Sequence, residues 1–210
     1  MRVERFIFGS FGTNTYVLSS LPCAGETAEG HVLLVDPACS NPYEQKQLKD
    51  YIGSRSVTII ATHGHLDHLW GAAWACREWR TEVLMHEADI PMAEAMAAQY
   101  SLFGIDATPQ PFPIRPPDLN APLDEPAGCT LRLIHTPGHT PGGVCLYWEK
   151  EQVLLSGDTL FHMGYGRTDL PGGDTGQLIN SLRHLFTLPP EIKVYPGHGE
   201  STTIAAERRY

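Results

Sequence analysis

No Cys-x-x-Cys pair occurs in the chain, and the five cysteines, Cys23, Cys39, Cys76, Cys129 and Cys145, are odd in number and widely spaced. That pattern argues against both a disulfide framework and a thiolate zinc ribbon. Basic charge is also scarce: 15 Lys and Arg against 24 Asp and Glu leave a formal net charge of −9, with no basic stripe, so a nucleic-acid surface is not expected. Long apolar runs are missing as well. The opening "MRVERFIFGSFGTN" offers only the three-residue run Phe6–Phe8 beside Arg2, Glu4 and Arg5, too little for a signal peptide or a membrane anchor, and the expected location is the cytoplasm. No repeat of solenoid period is present.

The chain does hold enough apolar material, 42% of 210 residues, to close one sizeable core, and residues 1–210 are expected to form a single domain. Runs of strand length recur as "RFIF", "TYVLS", "HVLLVD", "VTIIA", "EVLMH", "TLRLIH", "VCLYW", "QVLLSGD" and "IKVYPG", mostly bounded by Gly, Pro or Asp. Helical periodicity lies between some of them. In "NPYEQKQLKDYIG", Asn41 suits the N-cap, Pro42 the first helical position and Gly53 the stop. "DHLWGAAWACREWR", "EADIPMAEAMAAQY" and "GDTGQLINSLRHLF" show similar spacing. The strands group largely as hairpins, which predicts two mixed sheets with helices outside rather than one doubly wound sheet. The proline-dense stretch 104–127 reads as a long ordered surface loop.

Against this background "THGHLDH", Thr62–His68, places three histidines and an aspartate in seven residues directly after an apolar run. Residues i and i+2 of an extended segment point to one side, so His63 and His65 can share an ion. Asp67 falls where a helix begins and could instead cap its free amides. Further candidates follow strands downstream beside glycine: His139 in "HTPGHTPGG", Asp158 in "LLSGDTLF" and His198 in "VYPGHGE". Seven nitrogen and oxygen donors with one shareable carboxylate suit a paired-metal site. His63, His65 and His139 would form one half, Asp67, His68 and His198 the other, and Asp158 the bridge. His31, His86, His135, His162 and His184 read as ordinary histidines, with His162 the one that follows the Asp158 loop closely enough to line the pocket.

This set, in this order, resembles the metallo-β-lactamase fold superfamily from about Asn14 onward, which implies an α/β, four-layer αββα sandwich whose strand-end loops carry the metals. Within it, "SGDTLFHMGYGRTDLPGGD" and "YPGHGESTTIAAERRY" are most similar to short bacterial glyoxalase II-like hydrolases. The β-lactamases with this first motif usually place a cysteine where Asp158 stands, and transfer-RNA nucleases add an RNA-gripping arm. Larger glyoxalase II proteins carry a helical glutathione-binding domain after the last histidine, where only "ESTTIAAERRY" is expected to follow here. The resemblance implies hydrolysis of a small thioester such as S-lactoylglutathione, with no nucleic-acid or membrane partner. Two divalent ions per chain are implied, zinc first, with iron or manganese also suited to the donors. Water shared by two such ions loses its proton near neutral pH, and Asp67 would aim it. Arg167 would meet a carboxylate of the thiol, unless it pairs with Asp169 or Asp174, and Tyr165, Tyr147 and the proline-rich loop are candidates for the pocket wall. Persulfide dioxygenases are the rival resemblance, since they share "GRTD" and the histidine skeleton but use one iron to oxidise glutathione persulfide.

Overall fold

Strand β3, His31–Val35, shows why the chain stacks in layers: Val32 and Leu34 enter one apolar cluster, while Leu33 and Val35 enter another, so both faces of the strand are buried. The same alternation runs through β9, Val144–Trp148, where Leu146 and Trp148 point one way and Cys145 and Tyr147 the other. In the computed structural model, which describes residues 2–19, 30–125 and 129–208, two six-stranded sheets follow from this. Cys23 lies outside the described residues.

The first sheet runs β1 (Arg2–Phe8), β2 (Thr13–Ser19), β3, β4 (Ser56–Ile60), β5 (Val83–Leu84) and β6 (Ile114–Arg115). Its first three strands pair antiparallel and the rest parallel. The second runs β14 (Thr202–Thr203), β13 (Lys193–Pro196), β10 (Val153–Gly157), β9, β8 (Cys129–His135) and β7 (Leu123–Glu125), with only β10 and β13 parallel. A small hairpin, β11 (Leu160–Phe161) with β12 (Gly164–Tyr165), stands apart.

Between the sheets lie Leu18, Leu33, Ile60, Leu133, Leu146 and Trp148 among others. Helices α1 (Pro42–Ile52) and α3 (Ala72–Trp79) cover the outside of the first sheet, and α6 (Thr175–Leu185) and α7 (Ile204–Glu207) the outside of the second. This is the expected αββα sandwich of two mixed sheets.

Helix α1 begins and ends as its residues predict: Asn41 Oδ1 accepts from the backbone N–H of Tyr43 and Glu44, and Gly53 closes it with φ +63°. The stretch "DHLWGAAWACREWR" differs, because it divides into α2 (Leu66–Leu69) and α3 at Gly71. Gly71 donates its N–H to the Pro37 carbonyl at 2.8 Å, and a Cβ there would collide with Cys39 Sγ and two carbonyl oxygens. Close backbone approach breaks a helix that periodicity alone would continue.

The proline-rich segment also departs from expectation. Residues 114–115 pair with β5 and residues 123–125 with β8, so it crosses from the edge of one sheet to the edge of the other. Strands this short show too few alternations to be read from sequence. No helix among the described residues is long and apolar enough to cross a membrane.

Cys39, Cys76 and Cys145 are buried free thiols, and burial pushes Cys39 up to about 12 and the other two to about 11. A native protein exposed to iodoacetamide at pH 8 is therefore expected to keep these three unalkylated until denaturant is added. Their rapid labelling, mapped by peptide mass spectrometry, would contradict the packing of all three.

Candidate metal centre

The C-terminal ends of β4, β8, β10 and β13 meet the start of β2 at one edge of the sandwich. Thr13 bridges His198, Asn14 N–H bonds the Gly197 carbonyl at 2.7 Å, and Val144 N–H bonds the Thr62 carbonyl at 2.8 Å, so backbone bonds lock the two sheets together here. Asn14 Nδ2 adds bonds to the carbonyls of Pro196 and Gly199, each at 2.9 Å, pinning the turn that carries His198.

All seven side chains singled out in the sequence converge at this edge. Three overlapping groups could each hold an ion: His63, His65 and His139; His63, His68 and Asp158; and Asp67, His68 and His198. His65 Nδ1 lies 3.1 Å from His63 Nε2 and 2.9 Å from His139 Nε2. On the other side, His198 Nε2 is 3.3 Å from His68 Nε2 and 3.2 Å from Asp67 Oδ2. Asp158 stands between, 3.4 Å from His68, 3.5 Å from His139 and 3.6 Å from His198.

The outer hydrogen bonds of these rings decide what they aim inward. His139 Nδ1 donates to the Arg167 carbonyl at 2.7 Å, which leaves its Nε2 as a lone pair. Thr62 Oγ1 gives its proton to Asp36 Oδ2, so it accepts from His63 Nδ1 at 3.1 Å, and His63 Nε2 is likewise a lone pair. His68 Nδ1 donates to Asp36 Oδ2 at 2.8 Å. Lone pairs facing one another at about hydrogen-bond distance repel unless a cation sits among them. Asp158 Oδ1, buried with no hydrogen-bond partner, points the same way. The donor set fits two divalent ions.

Charge also differs across the cluster. Burial and the neighbouring imidazoles hold His63 well below its ordinary pKa and His65 down to about 4. For His68, burial alone would favour the neutral ring, yet the carboxylates of Asp67, Asp158 and Asp36 outweigh it and raise its pKa well above the ordinary value. His198 is raised by its bond to Asp67 and by Asp158, again against burial. Asp67 and Asp158 are lowered, burial being outweighed by His68.

Because these carboxylates favour the protonated ring of His68, a cation at its Nε2 competes with a proton there. Zinc binding is therefore expected to release protons, and apparent affinity to weaken as pH falls. Calorimetry in two buffers of different ionisation enthalpy measures this, and zero release would contradict the raised pKa of His68.

Several residues that sequence reasoning passed over hold the cluster in place. Asp36, buried after β3 with φ +53°, accepts from Thr62 N–H and Thr62 Oγ1 at 2.7 Å each and from His68. Asp89, fully buried, accepts from Gly64 N–H, Thr140 Oγ1 and Gly142 N–H, tying the His63–His65 loop to the His139 loop. The one signal for Asp36 was its position at a strand end in "HVLLVD"; Asp89 sits in a short 3-10 turn with no signal.

Thr13 Oγ1 donates to Asp67 Oδ2 at 2.7 Å. Asp67 therefore spends its carboxylate on Thr13 and His198, and His65, not Asp67, occupies the N-cap of α2.

The suggested substrate contacts fare differently. Arg167 forms a bidentate pair with Asp169, at 2.6 and 2.7 Å, with its guanidinium largely exposed; what it offers the cluster is its carbonyl. Tyr165 is exposed on β12, one residue before Gly166, whose backbone packs against the Asp158 carbonyl and His139. Tyr147 lies on the helix-facing side of β9, 6% exposed and packed in the cluster under α6, because alternation along the strand turns it away from the intersheet face. His162 pairs with buried Glu207 at 3.2 Å, and it is the preceding Phe161 whose ring stands 6.2 Å from that of His198. The proline-rich segment lines a separate cavity of about 360 Å³ with Ile90 and Met96, where no member of the histidine cluster appears. The other histidines stay apart from the cluster, His86 stacking on His135 at 4.2 Å.

The family described as the metallo-beta-lactamase superfamily matches residues 9–198, which includes every residue of the cluster and all strands of the two sheets but β1 and β14. The chain belongs to that superfamily. It is 35% identical over 72% of its length to the hydroxyacylglutathione hydrolase GloC of Haemophilus influenzae, covering 72% of that protein. Among solved structures of the superfamily, TTHA1623 in a di-iron-bound form is 32% identical, covering 99% of this chain and 98% of that one, with a TM-score of 0.85. The BLEG-1 B3 metallo-beta-lactamase is 29% identical with the same TM-score, covering 100% and 97%. Membership in this superfamily supports a metal-dependent hydrolase.

Proposed function

We propose that this member of the superfamily is a dinuclear hydrolase that cleaves a small thioester, with His63, His65 and His139 holding one divalent ion, Asp67, His68 and His198 the other, and Asp158 shared between them. The observation that carries this reading is the contact of Asp158 with both halves of the cluster, at 3.4 to 3.6 Å. Two divalent ions supply there a water acidic enough to ionise near neutral pH and a positive charge beside the carbonyl oxygen.

The chain's own part is positioning. Thr13 fixes the Asp67 carboxylate, so that it can accept a hydrogen bond from the attacking water. Asp36 and the Arg167 carbonyl set the ring orientations of His68 and His139. In the overall step the water oxygen bonds to the acyl carbon, the carbon–sulfur bond breaks with its electron pair going to sulfur, and the products are a carboxylic acid and a thiol. A thiol, with a pKa of about 8.5, leaves without a dedicated general acid.

The kinship with GloC supports a thioester, and zinc or iron suits the nitrogen and oxygen donors. The full chain loaded with either metal is expected to release thiol from S-lactoylglutathione or simple acyl thioesters and to bind about two ions. No thiol release from any of them would refute the proposal. One iron per chain with oxygen uptake on glutathione persulfide would replace it with persulfide oxidation, and faster opening of a cephalosporin than of any thioester would replace it with lactam hydrolysis.

A further inference from the structure

A groove of about 320 Å³ opens directly beside the cluster, with His65 in its wall. Its sides are α4 (Ile90–Glu94) and α5 (Met96–Leu102) on one hand and the Leu170–Pro171 turn on the other. Met92, Ala95, Ala98, Leu102, Phe103 and Leu170 supply most of the lining, and none carries a charge. The two polar side chains present are already engaged. Gln99 accepts from Leu66 N–H and donates to the carbonyls of Gly64 and Met92, while His65 directs Nδ1 to His63 and His139.

The apolar character extends to the lip. Leu102 and Phe103 are exposed, and Phe103 packs edge-on against Phe11 at 5.4 Å. Apolar surface left open beside a reactive centre marks a ligand contact. Arg167 does not line the groove, being exposed and paired with Asp169. A glutathionyl group, with two carboxylates and an ammonium, would therefore lose hydration here without any compensating charge.

We infer that this groove receives the aliphatic acyl chain of the substrate, which makes the preferred substrates thioesters of medium-chain acids. This rests on the thioesterase reading above. At roughly 30 Å³ per water-sized group, a groove of about 320 Å³ has room for a chain of up to about ten carbons. An acyl chain lying along α5 leaves its carbonyl at the His65 end, beside the cluster, and its thiol directed to solvent. Hydrolysis then adds water across the acyl–sulfur bond and leaves the fatty acid in the groove as the thiol departs.

The test is a series of N-acetylcysteamine thioesters from acetyl to dodecanoyl on the metal-loaded full chain, with S-lactoylglutathione alongside. The specificity constant is expected to rise about two- to fourfold per methylene, as for burial of apolar surface, and to level off near eight to ten carbons. Calorimetry provides a second readout with a non-hydrolysable octanoyl analogue that has a methylene between carbonyl and sulfur. It should bind with a negative heat-capacity change. Filling the groove by Ala98→Trp, or charging its exposed lip by Leu102→Glu, should weaken that binding about tenfold or more and flatten the chain-length profile.

A flat profile in the wild type, or an analogue whose binding ignores both variants, overturns the acyl groove even if lactoylglutathione is cleaved. Absence of all thiol release removes the thioesterase reading instead, and the groove is then judged by the analogue alone: binding lost in both variants upholds it, and no binding overturns it.

Discussion

Replacing Asp158 by asparagine is expected to lower thioester hydrolysis about a thousandfold, the scale of losing one preorganised electrostatic contact to the reacting centre, and to halve the metal content. Asparagine keeps the shape and removes the negative charge that faces His68, His139 and His198. The position itself is constrained. β10 breaks register with β13 between Leu155 and Gly157, and Gly157 takes φ +47° against Thr62, which turns Asp158 out of the strand and into the cluster. On the other side Gly197 leaves no room for a Cβ, since one would collide with Asp158 Oδ1. Metal analysis and steady-state kinetics check the outcome. A variant that keeps two ions per chain and a tenth of the activity would exclude Asp158 from the shared position.

The largest effect on stability is expected from Asp36→Ala. The methyl group leaves Thr62 N–H, Thr62 Oγ1 and His68 Nδ1 without their acceptor in a site that is 1% exposed. Breaking such a buried charged network costs about 3–5 kcal/mol. The residue also sits at φ +53°, a conformation that aspartate and asparagine tolerate better than alanine does. Denaturant unfolding of the metal-free chain reads the loss, and competition with a chelator should show about 10- to 100-fold weaker metal binding, because the orientation of His68 goes with it. Asp36→Asn keeps the shape and one carbonyl acceptor and should recover part of both. An unfolding midpoint unchanged in the alanine variant would show that Asp36 does not anchor the cluster.

These two aspartates mark how far the sequence could be read. Asp158 is visible in it because it follows an apolar strand, lies next to glycine and completes a donor set begun by "THGHLDH". Asp36 has the same surroundings, a strand before it and a proline after, but its task is to hold a partner that comes 32 residues later, and nothing local signals that pairing. Asp89 is further from view, since it joins two loops 78 residues apart through Gly64 and Gly142. The edge strands β6, β7, β11, β12 and β14 were equally hidden, each being two or three residues long.

Hydrophobic patterning determined the layers, because a strand whose consecutive residues are all apolar can be satisfied only between two covered faces, as β3 is. Residue type and spacing likewise singled out the seven side chains that converge at the sheet edge, since imidazole and carboxylate chemistry belongs to the side chains themselves. Tertiary structure decided which ring nitrogen faces inward, which side of β9 carries Tyr147, that Arg167 is held by Asp169, and that the surface next to His65 is an apolar groove. Each of these depends on atoms brought together from distant parts of the chain. The approach of His65 Nδ1 to His139 Nε2, each on a loop that follows a strand of a different sheet, exists only once both sheets have closed on the intersheet core.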